Sequence, residues 1–287
     1  MNLRATTNPA DFKAAVFPFL QRDPVLYSSI LSNTEDRING ILHDPVPPLY
    51  LSIHDDEDLV VGAVFCSAQR GIQLGALPDI LVPAIADACA GLAPNPDVIA
   101  GTASAARQLA ELLAARRGKT VRQIMGVRLH KLGEFTELRA EGTPRRAVAA
   151  DADLLIVLLA AYGIELGHPL PPAEQDSWVR TRTELGRLWV WEHEGRVVSM
   201  VGHQQTLFGS TRVGPVYTPP DERGHGYAGA LTAHVTKKLL ATGSQVCLNT
   251  DLANPTANKI YAAIGYRPVE DFVVYQLDPA VGPGDPD

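Results

Sequence analysis

The segment Val216-Tyr217-Thr218-Pro219-Pro220-Asp221-Glu222-Arg223-Gly224-His225-Gly226-Tyr227-Ala228 joins three pieces suited to holding an anion. A β-branched and aromatic run stops at two prolines, two closely spaced glycines follow, and a helical pattern begins behind them. The N–H groups of such a turn converge with the positive end of the helix dipole where a phosphate can sit. Glycine at 224 and 226 allows a tight turn and close approach of a pyrophosphate to the backbone. No G-x-x-x-x-G-K-[ST] occurs, which disfavours a P-loop. Gly224-His225-Gly226-Tyr227-Ala228-Gly229 does match the dinucleotide string G-x-G-x-x-G. It lies late in the chain, with no complete βαβ unit and no acidic ribose ligand after the next strand, so the dinucleotide reading ranks low.

A second group of chemistry-bearing residues follows the apolar strand Gln245 to Thr250. The spacing predicts a helix over 255–264, with Asn254 at the N-cap, Pro255 at N1 and Gly265 at C′. Ala257, Ile260 and Ile264 form its buried stripe, and Tyr261 stands about 100° from the stripe's centre, where a hydroxyl can reach a cleft. A phenol of ordinary pKa about 10 stays protonated at neutral pH and can donate to a thiolate of pKa near 8.5.

Arg223-x-x-Gly226-x-Ala228 resembles the acyl-CoA loop of the GNAT superfamily of N-acetyltransferases. The Asn-initiated helix, with Tyr261 ahead of Gly265-Tyr266, resembles the second signature of the same family. The resemblance covers roughly residues 143 to 277. It implies acetyl-CoA as acyl donor, with Arg223, Gly224, His225, Gly226, Tyr227 and Ala228 around its pyrophosphate. It further implies that the backbone of Val216, Tyr217 and Thr218 pairs with the pantetheine arm, that Asn254 contacts that arm, and that Tyr261 protonates the departing thiolate. Arg223 has a plainer alternative as a surface ion pair. Val216 and Tyr217 can fill a core while their backbone binds, and His225 is expected to face solvent.

The general base is less legible. Many members of the family place a carboxylate on the strand before the CoA loop, but 211–218 has none. His203 on the preceding strand is the best substitute, with Glu192 and His193 behind it. Trp189 and Trp191 alternate on one strand face and suit core packing better than an acceptor pocket. Glu165 and His168, after the helix over 151–166, are candidate acceptor contacts.

These residues need a scaffold, and the pattern of elements supplies one of α/β class with a mixed sheet. In the second half a strand near 144–148 precedes helices near 151–166 and 172–185, then strands at 187–193, 196–207 and 211–218. A helix to Thr242, strand 245–250, helix 255–264 and strand 266–277 complete it. The first half follows the same order: helices 9–21 and 24–40, strands 48–54, 58–66 and 71–75, helix 79–91, strand 97–100, helix 102–117 and strand 120–131. The reading is therefore two GNAT-like domains in tandem, at 1–132 and 143–277, with a linker at 133–142 and a disordered tail at 278–287. The first domain is degenerate, because its Gly71 to Pro78 loop has neither the arginine nor the paired glycines. An unrelated α/β domain of similar size is the alternative there.

Composition narrows the partners. A net charge of −7 without a Lys/Arg block argues against nucleic acid. The longest apolar run, Leu154 to Ile164, is too short to span a bilayer. No secretory leader pattern opens the sequence, and no Cys/His cluster offers a metal site. Three scattered cysteines, Cys66, Cys89 and Cys247, fit reduced core thiols and a cytoplasmic protein. The expectation is an acetyl-CoA-dependent transfer to a primary amine of a small molecule or peptide. The alternatives are a longer acyl-CoA, or an acyl-CoA sensor without catalysis.

Overall fold

The computed structural model describes residues 2–68, 70–90, 96–167 and 169–280. They fall into two compact units. The first runs to Leu129 and adds Asp251–Ala253 and the described residues from Val269; the second holds His130–Thr250 and Asn254–Pro268.

The first unit opens with β1 (Asn2–Thr6), α1 (Pro9–Leu20), α2 (Ser28–Ile38), β2 (Leu49–His54), β3 (Val60–Ser67) and β4 (Gly71–Leu74). Then come α3 (Val82–Ala90), β5 (Val98–Thr102), α4 (Ala103–Arg117) and most of β6 (Lys119–Leu132). β1 to β4 form an antiparallel series, and β5 joins β4 in parallel. Ile53, Val64, Ile72 and Ile99 from the sheet pack against Ile85, Leu109 and Leu113 from α3 and α4. The i, i+4 spacing of Leu109 and Leu113 sets the buried stripe of α4, and the small residues Ala106 and Ala110 on the same buried face allow close approach to the strands.

Two local readings change here. β1 carries one large apolar residue, Leu3, too weak a pattern to signal a strand; pairing with β2 makes it one. The helix expected from 24 starts at Ser28. Asp23 caps a separate turn instead, its Oδ1 accepting from the Leu26 N–H at 3.0 Å and its carbonyl from the Tyr27 N–H at 3.1 Å.

The second unit contains β7 (Thr143–Arg146), α5 (Ala152–Glu165), α6 (Pro172–Glu184), β8 (Leu188–His193), β9 (Arg196–His203) and β10 (Ser210–Tyr217). α7 (Tyr227–Leu240), β11 (Gln245–Asp251), α8 (Pro255–Ile264) and the start of β12 (Tyr266–Pro279) follow. The strand order is β11-β10-β9-β8-β7, parallel between β10 and β11 and antiparallel elsewhere. Alternation along the strands divides the core. Trp189, Trp191, Val198 and Val201 face α7 and α8, while Leu188, Val190 and Met200 face α5 and α6. The tryptophans are thus core residues, and Trp191 Nε1 donates to the Glu141 carbonyl at 2.7 Å.

Residues 133–142, read as a linker, are held within this unit. Phe135, Leu138 and Ala140 pack on the core beneath α7, Thr136 N–H donates to Ile264 at 2.8 Å, and Lys237 pairs with Glu137 at 2.9 Å. The far end of β12 belongs to the first unit, where Phe272–Gln276 pair antiparallel with Thr102–Val98. Asp278 and Pro279, assigned to the tail, are the last residues of that strand, and Arg122 Nε donates to Asp278 at 2.7 Å. The remainder of the expected tail from 281 lies outside the described residues.

Candidate active site

The loop before α7 is built by its two glycines. Gly224 and Gly226 have φ of +88° and +81°, a region costly for residues with a Cβ. Gly226 is the N-cap, and α7 begins with neither a side-chain cap nor an acidic residue in its first turn. Among the described residues, none of the N–H groups from Gly224 to Gly229 donates to a protein acceptor, and the first bond into the helix is Ala230 N–H to Gly226 at 3.0 Å. Consecutive unpaired amides at the positive end of a helix are a receptor for a polyanion such as a pyrophosphate. Gly229 serves packing instead, since a Cβ there would lie 3.2 Å from Leu138 and 3.3 Å from Ile260.

The strands ahead of this loop diverge. The parallel ladder joins Ser210–Val213 of β10 to Gln245–Leu248 of β11, while β10 continues to Tyr217 and β11 past Thr250. On its other edge β10 slips by one residue between Val213 and Val216, at Gly214-Pro215. Such a bulge bends a strand and re-aims the groups beyond it. The edges of Gly214–Tyr217 and of Asn249–Thr250 therefore face an opening in which an extended amide-bearing chain can be bound by main-chain groups.

Two tyrosines from opposite faces of the sheet lie near enough for one to act on the other's charge. Tyr261 comes from α8 on the α7 side, Tyr162 from α5 on the other. The Tyr261 phenol is pushed well above its ordinary pKa by burial, then by the nearby Tyr162 and Tyr266. Tyr266 is locked by a 2.7 Å hydrogen bond with Thr236. The Tyr261 hydroxyl has no hydrogen-bond partner among the described residues and is not among the sealed, unsatisfied polar atoms. It is an uncharged donor without a protein acceptor among the described residues.

A family model described as FR47-like protein matches residues 193–273, the stretch holding this loop, opening and tyrosine. Solved structures extend the likeness to almost the whole chain. A GCN5-related N-acetyltransferase from Sphaerobacter thermophilus is 16% identical, covers 96% of this chain and 95% of its own, and has a TM-score of 0.61. An acetyltransferase of the GNAT family from Colwellia psychrerythraea is 12% identical with coverage of 97% and 100% and a TM-score of 0.60. A tandem GNAT protein from the clavulanic acid biosynthesis pathway is 12% identical with coverage of 99% and 100% and a TM-score of 0.54. This is a tandem GNAT fold. No curated protein sequence matches the chain significantly.

Within the GNAT fold the other sequence-derived site residues can now be placed. Val216 packs toward the α7 core and Tyr217 toward α5, with the Tyr217 carbonyl accepting from Ser199 Oγ at 3.1 Å. Thr218 Oγ1 donates to the same serine at 2.9 Å. Asn254 caps α8, accepting from the Ala257 N–H at 3.0 Å. His225 is exposed and stacks on Tyr227, which is buried in the core. Arg223 takes the ion-pair alternative, with Nη2 2.7 and 2.8 Å from the two oxygens of Glu165 and Nε 2.9 Å from the Thr218 carbonyl.

His203 sits at the end of β9, with Nδ1 2.9 Å from the Gln204 carbonyl. Burial lowers its pKa, and Arg187, Arg146 and Arg182 lower it further, while the carbonyl contact opposes them. The imidazole is neutral at neutral pH, but its cationic surroundings oppose proton uptake. Glu192 is occupied by Arg145 at 2.7 Å, and His193 lies against Tyr227. His168 lies outside the described residues.

Sequence reading missed Tyr162. The apolar run of α5 gave it no distinguishing signal, and only the tertiary fold brings it near Tyr261. Among the described residues no group of His, Cys, Asp and Glu is arranged to hold a metal, and no helix is long and apolar enough to cross a membrane.

Proposed function

We propose that this protein transfers an acetyl group from acetyl-CoA directly to a primary amine of a small molecule or peptide. The observation carrying this reading is the run of unpaired amides at Gly224–Gly229 following a β10 strand whose ladder with β11 stops at Val213. The amides suit the pyrophosphate of the donor and the edges of β10 and β11 suit its pantetheine amides, with Asn254 and Arg223 as further donor contacts in this reading. The second unit is the donor-binding domain and the first is its degenerate counterpart.

In the transfer, the amine lone pair attacks the thioester carbonyl and the C–S bond breaks as the tetrahedral adduct collapses. In this reading Tyr261 donates to the departing sulfur. Its raised pKa makes full proton loss to a thiolate uphill, so its contribution is a hydrogen bond to the developing charge, and the released thiolate takes its proton from water. His203 is the imidazole candidate for taking the amine's proton, though its arginine neighbours weaken that role. The buried thiols of Cys66, Cys89 and Cys247 support a reducing, cytoplasmic setting, and the net charge of −7 supports neither nucleic-acid nor membrane partners.

The direct test is release of free thiol from acetyl-CoA against a library of amines. Turnover with any of them supports a transferase and names the acceptor. Donor binding without turnover across the library favours a sensor, and faster turnover with longer acyl chains moves the donor assignment.

A further inference from the structure

Glu165 is the last residue of α5, where the helix dipole is negative, and the last turn of that helix contains no basic residue. A carboxylate in that position repels its own helix end and is stabilised by a cation. Arg223 supplies one through Nη2, at 2.7 and 2.8 Å, and the Tyr217 hydroxyl donates to Glu165 Oε1 at 3.0 Å. The pair is roughly half exposed on both sides, at 48% for Arg223 and 45% for Glu165. Such a pair is easily exchanged. Arg223 also adjoins the unpaired amides of the glycine loop, so a pyrophosphate seated there competes for its guanidinium. On its other side Glu165 leads toward the reaction centre: the Tyr217 ring meets the Tyr162 ring edge-on at 6.3 Å, and Tyr162 neighbours Tyr261.

We propose that Glu165 is the carboxylate that holds the acceptor as its ammonium form while it enters, the ammonium giving its proton to water before the lone pair attacks, and that Arg223 occupies Glu165 until the donor's pyrophosphate draws the arginine away. Donor binding thereby opens the acceptor site. The inference rests on the acetyl-CoA reading of the loop, and it adds a substrate class: aliphatic amines, protonated at neutral pH, rather than uncharged arylamines. Tyr217 keeps the freed carboxylate in place through its hydrogen bond.

The sign of one measurement tests the exchange. In E165Q, Arg223 no longer has to leave a carboxylate, so acetyl-CoA should bind about two- to fivefold more tightly by calorimetry, the range expected for an exposed ion pair. In an R223A background the same change should leave acetyl-CoA affinity unaltered. A static brace predicts that E165Q weakens donor binding, and that result, or equal effects in both backgrounds, overturns the proposal.

The acceptor side is read separately. E165Q should raise the KM of an aliphatic amine at least tenfold and leave that of an arylamine of similar size unchanged, with kcat little affected. R223A should weaken acetyl-CoA binding while keeping the aliphatic-amine KM within about twofold at saturating donor, and this variant decides the matter if E165Q fails to fold. A rise of the amine KM in R223A as large as in E165Q overturns the exchange. Wild-type protein that binds no acetyl-CoA overturns the functional reading itself; normal binding with the wrong signs overturns only the role of Glu165.

Discussion

Thr250 Oγ1 donates to Asn258 Oδ1 at 2.8 Å, tying the end of β11 to the first turn of α8. Asn258 Nδ2 reaches back to the Asn254 carbonyl at 2.8 Å, and His130 Nε2 lies 3.2 Å from the same threonine. The helix carrying Tyr261 is thus fixed at its N-terminus by bonds independent of the tyrosine. Its hydroxyl can be altered without disturbing its position.

Tyr261→Phe should therefore separate chemistry from packing. The hydroxyl makes no hydrogen bond among the described residues, so the melting temperature should change little, and the ring keeps its contact with Tyr266. If it stabilises the leaving thiolate, the single-turnover rate should fall by roughly 10²–10⁴-fold while the KM for acetyl-CoA stays nearly constant. Full single-turnover activity would remove Tyr261 from the mechanism.

Gly226→Ala places a Cβ at a φ of +81° beside the proposed pyrophosphate seat. The nearest protein atom to that Cβ would be 3.8 Å away, so the cost to folding is backbone strain alone, about 1–2 kcal/mol. Acetyl-CoA affinity should fall at least tenfold by calorimetry in protein that still melts cooperatively. Undiminished affinity would move the donor away from this loop.

Gly265→Ala tests the other glycine. At a φ of +111°, its Cβ would lie 1.8 Å from the Glu134 carbonyl oxygen, which is backbone and cannot step aside cheaply. The variant should lose about 3 kcal/mol or more, visible as a large drop in melting temperature. A neutral effect would place Glu134 elsewhere.

One acetyl-CoA per chain is the expected calorimetric stoichiometry. At the matching place in the first unit, Asp79 opens the helical turn that precedes α3 and accepts from Ser104, so a carboxylate stands where the second unit has unpaired amides. Negative charge at a helix start disfavours a phosphate there. A stoichiometry of two would overturn the degenerate reading.

Alkaline pH should destabilise the fold. Burial pushes Cys66 up to about 12, Cys89 to about 11 and Tyr50 to about 12, and raises Tyr261 and Tyr266 as well. Unfolded thiols and phenols lose protons near pH 8.5 and 10, so above about pH 8.5 the folded state binds more protons than the unfolded one. Stability then falls with rising pH, more steeply past about 10. Melting temperatures between pH 8 and 11 measure it, and a flat profile would contradict these environments.

Several parts of the site were legible because their cause is local. Asn254-Pro255 and Gly265 define α8 by capping chemistry that needs no partner, and the structure places all three at the expected positions. Gly224 and Gly226 announce their conformation because few other residues tolerate it. Helix and strand periods likewise follow from which positions must be buried. Other relationships depend on chain segments that sequence spacing does not connect. Glu165 and Arg223 are 58 residues apart, and nothing in either neighbourhood selects the other. Tyr162 looks like any aromatic in an apolar helix until the fold brings it near enough to Tyr261 to raise that phenol's pKa. The end of β12 reads as a strand wherever it pairs, and only its ladder with β5 assigns Phe272–Gln276 to the first unit. Local sequence fixes conformations whose energy is settled within a few residues, whereas partners for charges and strand edges are chosen by the whole fold, which minimises their exposure together.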